Sequence, residues 1–173
     1  MSPAPTVRRL DAPTAAELDA LAEVLVDCVA GGASVSFMHP LAFERARAFW
    51  QQVAQGVARG ERALLVADDA HGLCGTVQLV LAQPENQPHR ADLAKMLVHR
   101  RARQRGLGAA LLAAADAEAR RHGKSLLVLD TASPEAERLY LRAGWQRCGS
   151  IPDYALLPHG GLCATIFYYR ELR

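Results

Sequence analysis

Three stretches of the chain repeat apolar residues every three or four positions, which is the spacing of one face of an α-helix. The first follows a capping-box pattern at residues 14–17 and ends at the glycine pair 31–32, and the second ends near residues 59–60. Pro40, ahead of the second stretch, stands where a helix can start, and Gly123 ends the third. The three stripes consist of Leu18, Leu21, Leu25 and Val29; of Phe43, Ala46, Phe49, Trp50 and Val53; and of Leu107, Leu111, Ala115 and Ala119. A fourth, shorter helix is predicted over residues 134–143.

Shorter apolar runs between turn-forming residues predict the strands. They cover residues 7–10, 63–67, 73–82, 90–98, 126–129, 145–151 and 163–170. The turn at residues 68–72 joins two of them as an antiparallel hairpin, and the unbroken apolar run 126–129 is typical of a buried strand. The order β-α-α-β-β-β-α-β-α-β-β predicts an α/β fold, with helices packed on a central sheet, as a single domain over residues 1–173.

Composition narrows the class of protein without indicating a function. The net charge of +2 gives no argument for a nucleic-acid partner. No apolar run approaches the roughly 20 residues that span a bilayer, and residues 1–5 lack the pattern of a signal peptide. The four cysteines are far apart and the six histidines show no paired spacing, so neither a disulfide framework nor a metal site is expected. We therefore expect a cytoplasmic protein without a membrane contact.

The segment from Arg103 to Gly108 follows a predicted strand and opens a predicted helix. A helix N-terminus presents unpaired backbone N–H groups and the positive end of the helix dipole, so this position favours an anion. Gly106 and Gly108 leave room for a phosphate to approach the backbone, and Arg103 and Arg105 add positive charge. The alternative is a helix start with two incidental glycines, although a glycine inside a helix costs about 1 kcal/mol relative to alanine.

Two common nucleotide-binding motifs do not fit this segment. A P-loop continues with Gly-Lys-Ser/Thr, whereas Gly108 is followed by Ala109 and Ala110. The dinucleotide fingerprint needs a third glycine, and Leu111 stands at that position.

The segment instead resembles motif A of the GNAT superfamily of N-acetyltransferases, whose pattern Arg/Gln-x-x-Gly-x-Gly/Ala is filled by Arg103, Gly106 and Gly108. Residues 135–145, which contain Tyr140, are similar to a second segment of that family, and the resemblance runs along nearly the whole chain. It implies a mixed, mostly antiparallel sheet flanked by helices, with a splayed parallel strand pair where acetyl-CoA binds. It also implies an acetyl-CoA site made of Met96, Leu97, Val98, Arg103, Gln104, Arg105, Gly106, Leu107, Gly108 and Ala109. In that family the strand backbone pairs with the pantetheine arm and the loop N–H groups bind the pyrophosphate.

Four further segments look like the tabtoxin-resistance branch of that superfamily. They cover residues 31–38, 126–131, 151–154 and 161–169. Members of that branch acetylate small toxic amines, so the resemblance implies a tabtoxin-like β-lactam or an aminoglycoside such as kasugamycin as acceptor, and a role in resistance. The loop between Asp130 and Tyr140 is one residue shorter here, with a proline at position 134.

Two residues are candidates for the catalytic step. The resemblance places Tyr140 beside the cofactor sulfur, where a phenol with an ordinary pKa near about 10 can act as general acid; the alternative is a core tyrosine. Asp130 ends a buried strand, where it can hold the substrate ammonium or accept its proton. The alternative for Asp130 is a helix cap or a turn residue.

The acceptor amine is expected near Ser36, Phe37, Asp130, Asp153 and Tyr154. Phe37 is otherwise a hydrophobic anchor for its loop, and Asp153 with Tyr154 otherwise forms an ordinary turn in a loop after a strand. Three functions compete: direct acetylation of a small amine in a ternary complex, acetylation of a protein lysine or N-terminus, and a non-catalytic acetyl-CoA-binding module. A homodimer is implied only by analogy with the family.

Overall fold

The computed structural model describes residues 5–172. Of residues 1–5, in which no signal-peptide pattern is expected, only residue 5 lies in this range. Within this range the chain forms four helices, seven strands and one short 3₁₀ turn at Arg100–Ala102. The helices are α1 (Ala15–Ala30), α2 (Phe43–Ala58), α3 (Leu107–Arg121) and α4 (Pro134–Arg142). The strands are β1 (Thr6–Arg9), β2 (Arg62–Asp69), β3 (Gly72–Val80), β4 (Arg90–Val98), β5 (Leu126–Thr131), β6 (Gln146–Leu156) and β7 (Leu162–Glu171). The predicted order of elements is confirmed.

All seven strands belong to one sheet in the order β1-β2-β3-β4-β5-β7-β6. Every neighbouring pair is antiparallel except β4 and β5, which are parallel. The expectation of a mixed, mostly antiparallel sheet with one parallel pair is therefore confirmed.

Alternation along the strands produces two apolar layers. In β2, Leu64 and Val66 point toward α1 and α2, whereas Leu65 and Ala67 point toward α3. Trp50 of α2 is fully buried in the first layer. The sheet is thus covered on both faces, as an α/β domain requires. None of the helices within residues 5–172 combines the length and the apolar character that crossing a membrane requires.

The helix starts follow the expected local chemistry. The hydroxyl oxygen of Thr14 accepts the Glu17 backbone N–H at 3.2 Å, and the Glu17 carboxylate accepts the Thr14 N–H at 2.9 Å. At α4 the cap is Ser133, whose hydroxyl oxygen accepts the N–H of Ala136 at 3.2 Å. Such caps stabilise a helix by about 1 kcal/mol. Because Ser133 caps α4, the alternative in which Asp130 is the helix cap is wrong.

Strand β6 is longer than the sequence pattern predicts. It continues to Leu156, so Asp153 and Tyr154 lie inside a strand and not in a loop after it. The register against β7 shifts between Ile151 and Ala155, with Asp153 in the left-handed region at φ 52°. A proline inside a strand, here Pro152, normally marks its end, but β6 is the edge of the sheet, where a missing N–H is tolerated.

Helix α2 begins at Phe43, three residues after Pro40. Leu41 is buried in the layer beneath α1 and α2, and Ala42 still has an extended backbone with φ −65° and ψ 138°. The chain thus makes an apolar contact before the helix starts.

Strand β4 contains a bulge at the centre of the sheet. Between the paired residues Thr76–Leu97 and Gln78–Ala94, two residues of β4 lie opposite one residue of β3. Lys95 is one of these two residues and has φ 50°. A bulge interrupts the alternation of side chains between the two faces.

The effect of the bulge is visible on either side of it. Leu93 packs in the layer beneath α3, whereas Leu97, four residues further on, packs in the layer beneath α1 and α2. In a regular strand residues four positions apart face the same side. The bulge therefore decides which side chains of β4 face which layer.

Candidate active site

The parallel strands β4 and β5 separate soon after they meet. They pair only from Arg90–Leu126 to Asp92–Val128, although β4 continues to Val98 and β5 to Thr131. This confirms the splay predicted for the pair. It leaves the edge of β4 over residues 93–98, which includes the candidates Met96, Leu97 and Val98, without a neighbouring strand on the β5 side.

The N-terminus of α3 lies directly after this edge. Its N-cap is Gly106, at φ 76°, and no side chain caps the helix. The first intrahelical bond runs from the N–H of Ala110 to the Gly106 carbonyl at 3.1 Å. The N–H groups of Leu107, Gly108 and Ala109 thus precede the helical ladder and, together with the helix dipole, favour an anion.

Glycine is required at positions 106 and 108 for different structural reasons. Gly106 adopts a left-handed conformation that other residues rarely take, and a Cβ there would meet nothing within 4 Å. A Cβ on Gly108 would lie 2.7 Å from Cδ2 of Leu139 in α4. Glycine at 108 therefore leaves room for the Leu139 side chain against the first turn of α3. This is a packing reason for the glycine, in addition to the space that a phosphate needs.

Aspartates neutralise part of the positive charge around the loop. Asp69 lies 2.6 Å from Arg101 and 3.5 Å from Arg105. The hydrogen bond from Arg101 holds the pKa of the Asp69 carboxyl below its usual range. Arg100 forms a similar ion pair with Asp27 at 2.9 Å.

Arg103 forms no ion pair with another residue of the described range, and its Nε donates to the Val98 carbonyl at 3.1 Å. The side chain of Arg103 is exposed, as are those of Gln104 and Arg105. Gln104 has φ 61°, so the loop reaches α3 through a tight left-handed turn.

Tyr140 projects from α4 into the layer beneath α3 and is 5% exposed. Its ring centroid lies 5.7 Å from that of Trp145 and 6.2 Å from that of Tyr168. Burial raises the pKa of the Tyr140 phenol, and the negative charge of Asp130 raises it further. Tyr140 is thus a core residue whose phenol keeps its proton at neutral pH. This fits a general acid and equally fits a core tyrosine without a catalytic role.

A cavity of about 280 Å³ lies between the segment after α1, the end of β5 and the β6–β7 hairpin. Its lining includes Ser36, Phe37, Asp130 and Tyr154, four of the five residues expected to bind the acceptor. The volume is at the lower end of the range for small-ligand pockets. Asp153, the fifth candidate, is exposed and is not among the lining residues.

Asp130 is the only charged residue among those that line the cavity. Its side chain is exposed, so the desolvation cost expected for a buried carboxylate does not apply. The hydroxyl of the buried residue Thr165 donates to Asp130 Oδ2 at 2.7 Å and orients the carboxylate. A polycationic acceptor such as an aminoglycoside would require several carboxylates at the cavity. The neighbouring elements do not supply them, because Asp92 of β4 pairs with Arg90, and Glu135 of α4 and Asp153 of β6 lie outside the lining.

Lys95 contacts the cavity residue Ser36, although it belongs to none of the sequence motifs. Its Nζ donates to the Ser36 hydroxyl oxygen at 3.3 Å and lies 5.7 Å from the centroid of the Phe49 ring. Burial lowers the pKa of Lys95, while the negative charge of Asp130 opposes that change and Arg62 adds to it. No signal in the sequence marks Lys95, because its position depends on the bulge in β4.

Neither a metal cluster nor a disulfide occurs within residues 5–172. All four cysteines are free, and Cys163 lines the cavity.

Comparison with known proteins assigns the family. Residues 60–147, about half of the chain, match the family model of the acetyltransferase (GNAT) domain. The chain therefore belongs to the GNAT family and is an N-acetyltransferase.

Solved structures share the fold across the whole chain. An N-acetyltransferase from Staphylococcus aureus Mu50 is 19% identical, with a TM-score of 0.81 over 99% of this chain and 100% of that one. A phosphinothricin acetyltransferase from Sinorhizobium meliloti, in complex with acetyl-CoA, is 19% identical, with a TM-score of 0.81 over 98% and 89%. A ribosomal-protein-alanine N-acetyltransferase from Brucella melitensis is 23% identical, with a TM-score of 0.79 over 96% and 99%. At these identities the likeness concerns the fold, and the named substrates are those of the other proteins.

Proposed function

We propose that the protein transfers the acetyl group of acetyl-CoA directly to the amine of a small molecule, within a ternary complex. The observation that carries this proposal is the cavity of about 280 Å³, which has one oriented carboxylate, Asp130, at the point where β5 has separated from β4. A protein substrate would instead need an open groove.

The residues around the splayed strands fit acetyl-CoA. The uncapped N-terminus of α3 offers the N–H groups of residues 107–109 to a pyrophosphate, and Gly106 leaves open space beside them. Arg103, Gln104 and Arg105 are exposed around it, and the edge of β4 at residues 96–98 is available to an extended arm. When bound, acetyl-CoA supplies an acetyl group already activated as a thioester.

Two side chains would handle protons. Asp130 holds the acceptor ammonium and takes up its proton, directly or through water, so that the amine can attack. Tyr140 holds a proton at its phenol oxygen and donates it to the leaving thiolate. The phenol has this proton available because it stays protonated at neutral pH, and burial raises its pKa further.

Within this class of reaction we propose a toxin or antibiotic as the acceptor, and resistance as the biological role. The support is the resemblance of residues 31–38, 126–131, 151–154 and 161–169 to the tabtoxin-resistance branch. All four segments contribute to the lining of the cavity, in that order through Ser36, Asp130, Tyr154 and Thr165.

A thermal-shift titration with acetyl-CoA tests the cofactor. At a concentration of about 100 times Kd, a ligand that binds the folded state stabilises it by about 2.7 kcal/mol. For a chain of this length we expect Tm to rise by about 5–10 °C. Desulfo-CoA, which retains the pyrophosphate, should produce a similar rise. An unchanged Tm with both ligands would refute acetyl-CoA binding.

A screen of amine antibiotics, amino-acid-like toxins and peptides, with release of free CoA as the readout, tests the acceptor class. We expect turnover of small amines and none of peptides. Turnover of peptides alone would contradict a small-molecule acceptor. Tight binding of acetyl-CoA without turnover of any amine would favour the non-catalytic alternative.

We also propose a homodimer, by analogy with the family. The edge strand β6 carries exposed apolar side chains such as Ile151, which gives such a contact an apolar surface. Light scattering should give twice the mass of 18.7 kDa for one chain, and a monomeric mass across the micromolar range would contradict the proposal.

A further inference from the structure

The contact between Lys95 and Ser36 is not used by the transfer reaction described above. The Lys95 Nζ donates to the Ser36 hydroxyl oxygen at 3.3 Å, and Ser36 lines the cavity. Because the hydroxyl oxygen accepts from Lys95, the hydroxyl proton is left to donate to another group. The cavity wall thus presents a hydrogen-bond donor with a positive charge directly behind it.

Both partners of this contact have unusual backbone conformations. Ser36 has φ 75° and Lys95 has φ 50°. For residues other than glycine, the left-handed region costs about 1–2 kcal/mol each. Two such residues in contact across two separate segments indicate a geometry that the fold maintains against this cost.

The ammonium of Lys95 is held at a fixed place without a carboxylate partner. It lies 5.7 Å from the centroid of the Phe49 ring, a distance typical of a cation–π contact. Among the described residues it forms no ion pair. The sequence contains only two lysines, Lys95 and Lys124, so this position differs from the arginines that dominate the surface.

Lys95 and Asp130 place opposite charges at one cavity. Asp130 lies in the lining and has only a hydroxyl partner, Thr165, while Lys95 stands behind the lining residue Ser36. The two charges influence each other electrostatically but do not form an ion pair. A molecule that carries both an ammonium and an anionic group would complement both Asp130 and the Lys95–Ser36 contact.

We propose that the acceptor is a zwitterion of the amino-acid type, whose ammonium binds Asp130 and whose carboxylate accepts a hydrogen bond from Ser36, with Lys95 as the positioning residue behind it. This inference rests on the proposed transfer to a small-molecule amine and specifies its substrate class. A polycation fits poorly, because it would meet one carboxylate and an adjacent positive charge.

Matched substrate pairs test the inference. Release of free CoA is measured with common L-α-amino acids and ω-amino acids of increasing length, and with the carboxamide of each. Spermidine and kanamycin serve as amines without a carboxylate. We expect kcat/KM for the best amino acid to exceed that for its carboxamide by about 10- to 100-fold, the difference that a charge-assisted hydrogen bond typically produces.

Variants assign this preference to the Lys95–Ser36 contact. Lys95→Met and Ser36→Ala should each lower the ratio of acid to carboxamide toward one, mainly through KM, and Lys95→Arg should retain most of it. Lys124→Met is the matched control: Lys124 is also partly buried, but its Nζ donates to the carbonyls of Leu81 and Pro88, so the ratio should not change. Acetyl-CoA-induced Tm shifts should be the same in all four variants.

The pH dependence gives a second readout that a merely structural role would not move. The pKa of Lys95 lies below its ordinary value, so the ammonium is lost as the pH rises through that lowered pKa. We expect KM for the amino acid to rise on the alkaline side in the wild type. Part of this rise comes from the acceptor itself, because its ammonium is also lost in alkali whichever enzyme is used. The wild type should therefore show a further rise in KM for the amino acid that the Lys95→Met enzyme lacks.

The failures of the two proposals are distinguishable. A protein that does not bind acetyl-CoA fails the proposed function itself. An enzyme that binds acetyl-CoA but acetylates carboxamides or polyamines as well as amino acids retains the proposed function and overturns this inference. Binding of acetyl-CoA with no turnover of either class also overturns it, as does a Lys95→Met enzyme with an unchanged acid-to-carboxamide ratio.

Discussion

At the scale of single residues, the candidate site combines one buried phenol, the proposed proton donor, with one exposed carboxylate. Tyr140 is enclosed by aromatic neighbours, whereas Asp130 faces the cavity and is oriented by Thr165. Their environments suit the two proposed roles, because burial raises the pKa of the phenol whereas the carboxylate is open to an acceptor in the cavity.

We predict that Tyr140→Phe lowers kcat by about 100-fold, the lower end of the range for general acid catalysis. KM for acetyl-CoA should change little, since the ring and its packing are kept. Because the pKa of Tyr140 is raised, kcat of the wild type should show no decline from loss of this proton up to about pH 10. Steady-state kinetics across pH provides the measurement, and full activity in the phenylalanine variant would exclude Tyr140 as the acid.

Asp130→Asn should raise KM for the acceptor and lower kcat, because the amide neither attracts an ammonium nor takes up a proton. Thr165→Val keeps the carboxylate but removes its 2.7 Å hydrogen bond, so a smaller loss of about 5- to 10-fold in kcat/KM is expected. The two variants are compared with the wild type at saturating acetyl-CoA. Equal effects, or an effect of Thr165→Val alone, would contradict the role given to Asp130.

At the scale of elements, the contact between α3 and α4 connects the two halves of the site. The N-terminus of α3 is the expected pyrophosphate site, and α4 carries Tyr140. Gly108 allows Leu139 of α4 to pack against α3. The end of α4 is also held, since Arg170 donates to the Ala143 carbonyl and pairs with Asp116 at 2.7 Å.

We predict that Gly108→Ala impairs catalysis through packing. The added methyl group would overlap Cδ2 of Leu139, so the Leu139 side chain must shift, and kcat should fall to the extent that this shift moves the neighbouring Tyr140. Leu139→Ala should restore activity to the Gly108→Ala enzyme, which a double-mutant cycle measures as a coupling of about 1 kcal/mol or more. The matched control is Gly106→Ala, whose defect arises from backbone strain and should not be relieved by Leu139→Ala. Independent effects at positions 108 and 139 would refute the packing explanation.

At the scale of the whole molecule, ion pairs connect the segment between β4 and α3 to the β2–β3 hairpin. Asp69 at the end of β2 pairs with Arg101 and Arg105, and Asp27 of α1 pairs with Arg100. These contacts fix the segment between β4 and α3 against two elements that both lie well before it in sequence. The loop geometry therefore depends on the folded sheet.

We predict that Asp69→Asn lowers the free energy of unfolding near pH 7 by up to about 1 kcal/mol. The pKa of Asp69 is depressed in the folded state, so its contribution is present above the unfolded pKa and is lost as the pH falls through the folded value. Thermal unfolding of variant and wild type should thus converge in acid. Asp11→Asn, at an exposed pair with Arg9, is the control and should have a smaller effect. A difference that persists at low pH would contradict the prediction.

Local patterns in the sequence were sufficient to predict the type and order of the elements, although not the end of β6. Periods of two and of three to four residues, together with the cap at Thr14 and the glycines that end helices, depend only on neighbouring residues, so they can be read from the chain itself. The loop at residues 103–108 can also be recognised from the sequence alone, because the strand before it, its two glycines and the helix start after it follow one another along the chain. The family follows from these contiguous motifs.

Only the tertiary structure decided what surrounds the cavity. Asp153 was expected at the site but lies outside its lining, because the edge position of β6 allows the strand to continue past Pro152. Lys95 was not expected, because its place behind Ser36 depends on the register between β3 and β4 and on the bulge that this register creates. Both outcomes arise from pairings between segments distant in sequence. The contiguous motifs of the chain therefore determined the family and indicated the acetyl donor, whereas the charges that would select the acceptor emerged only when distant strands were paired.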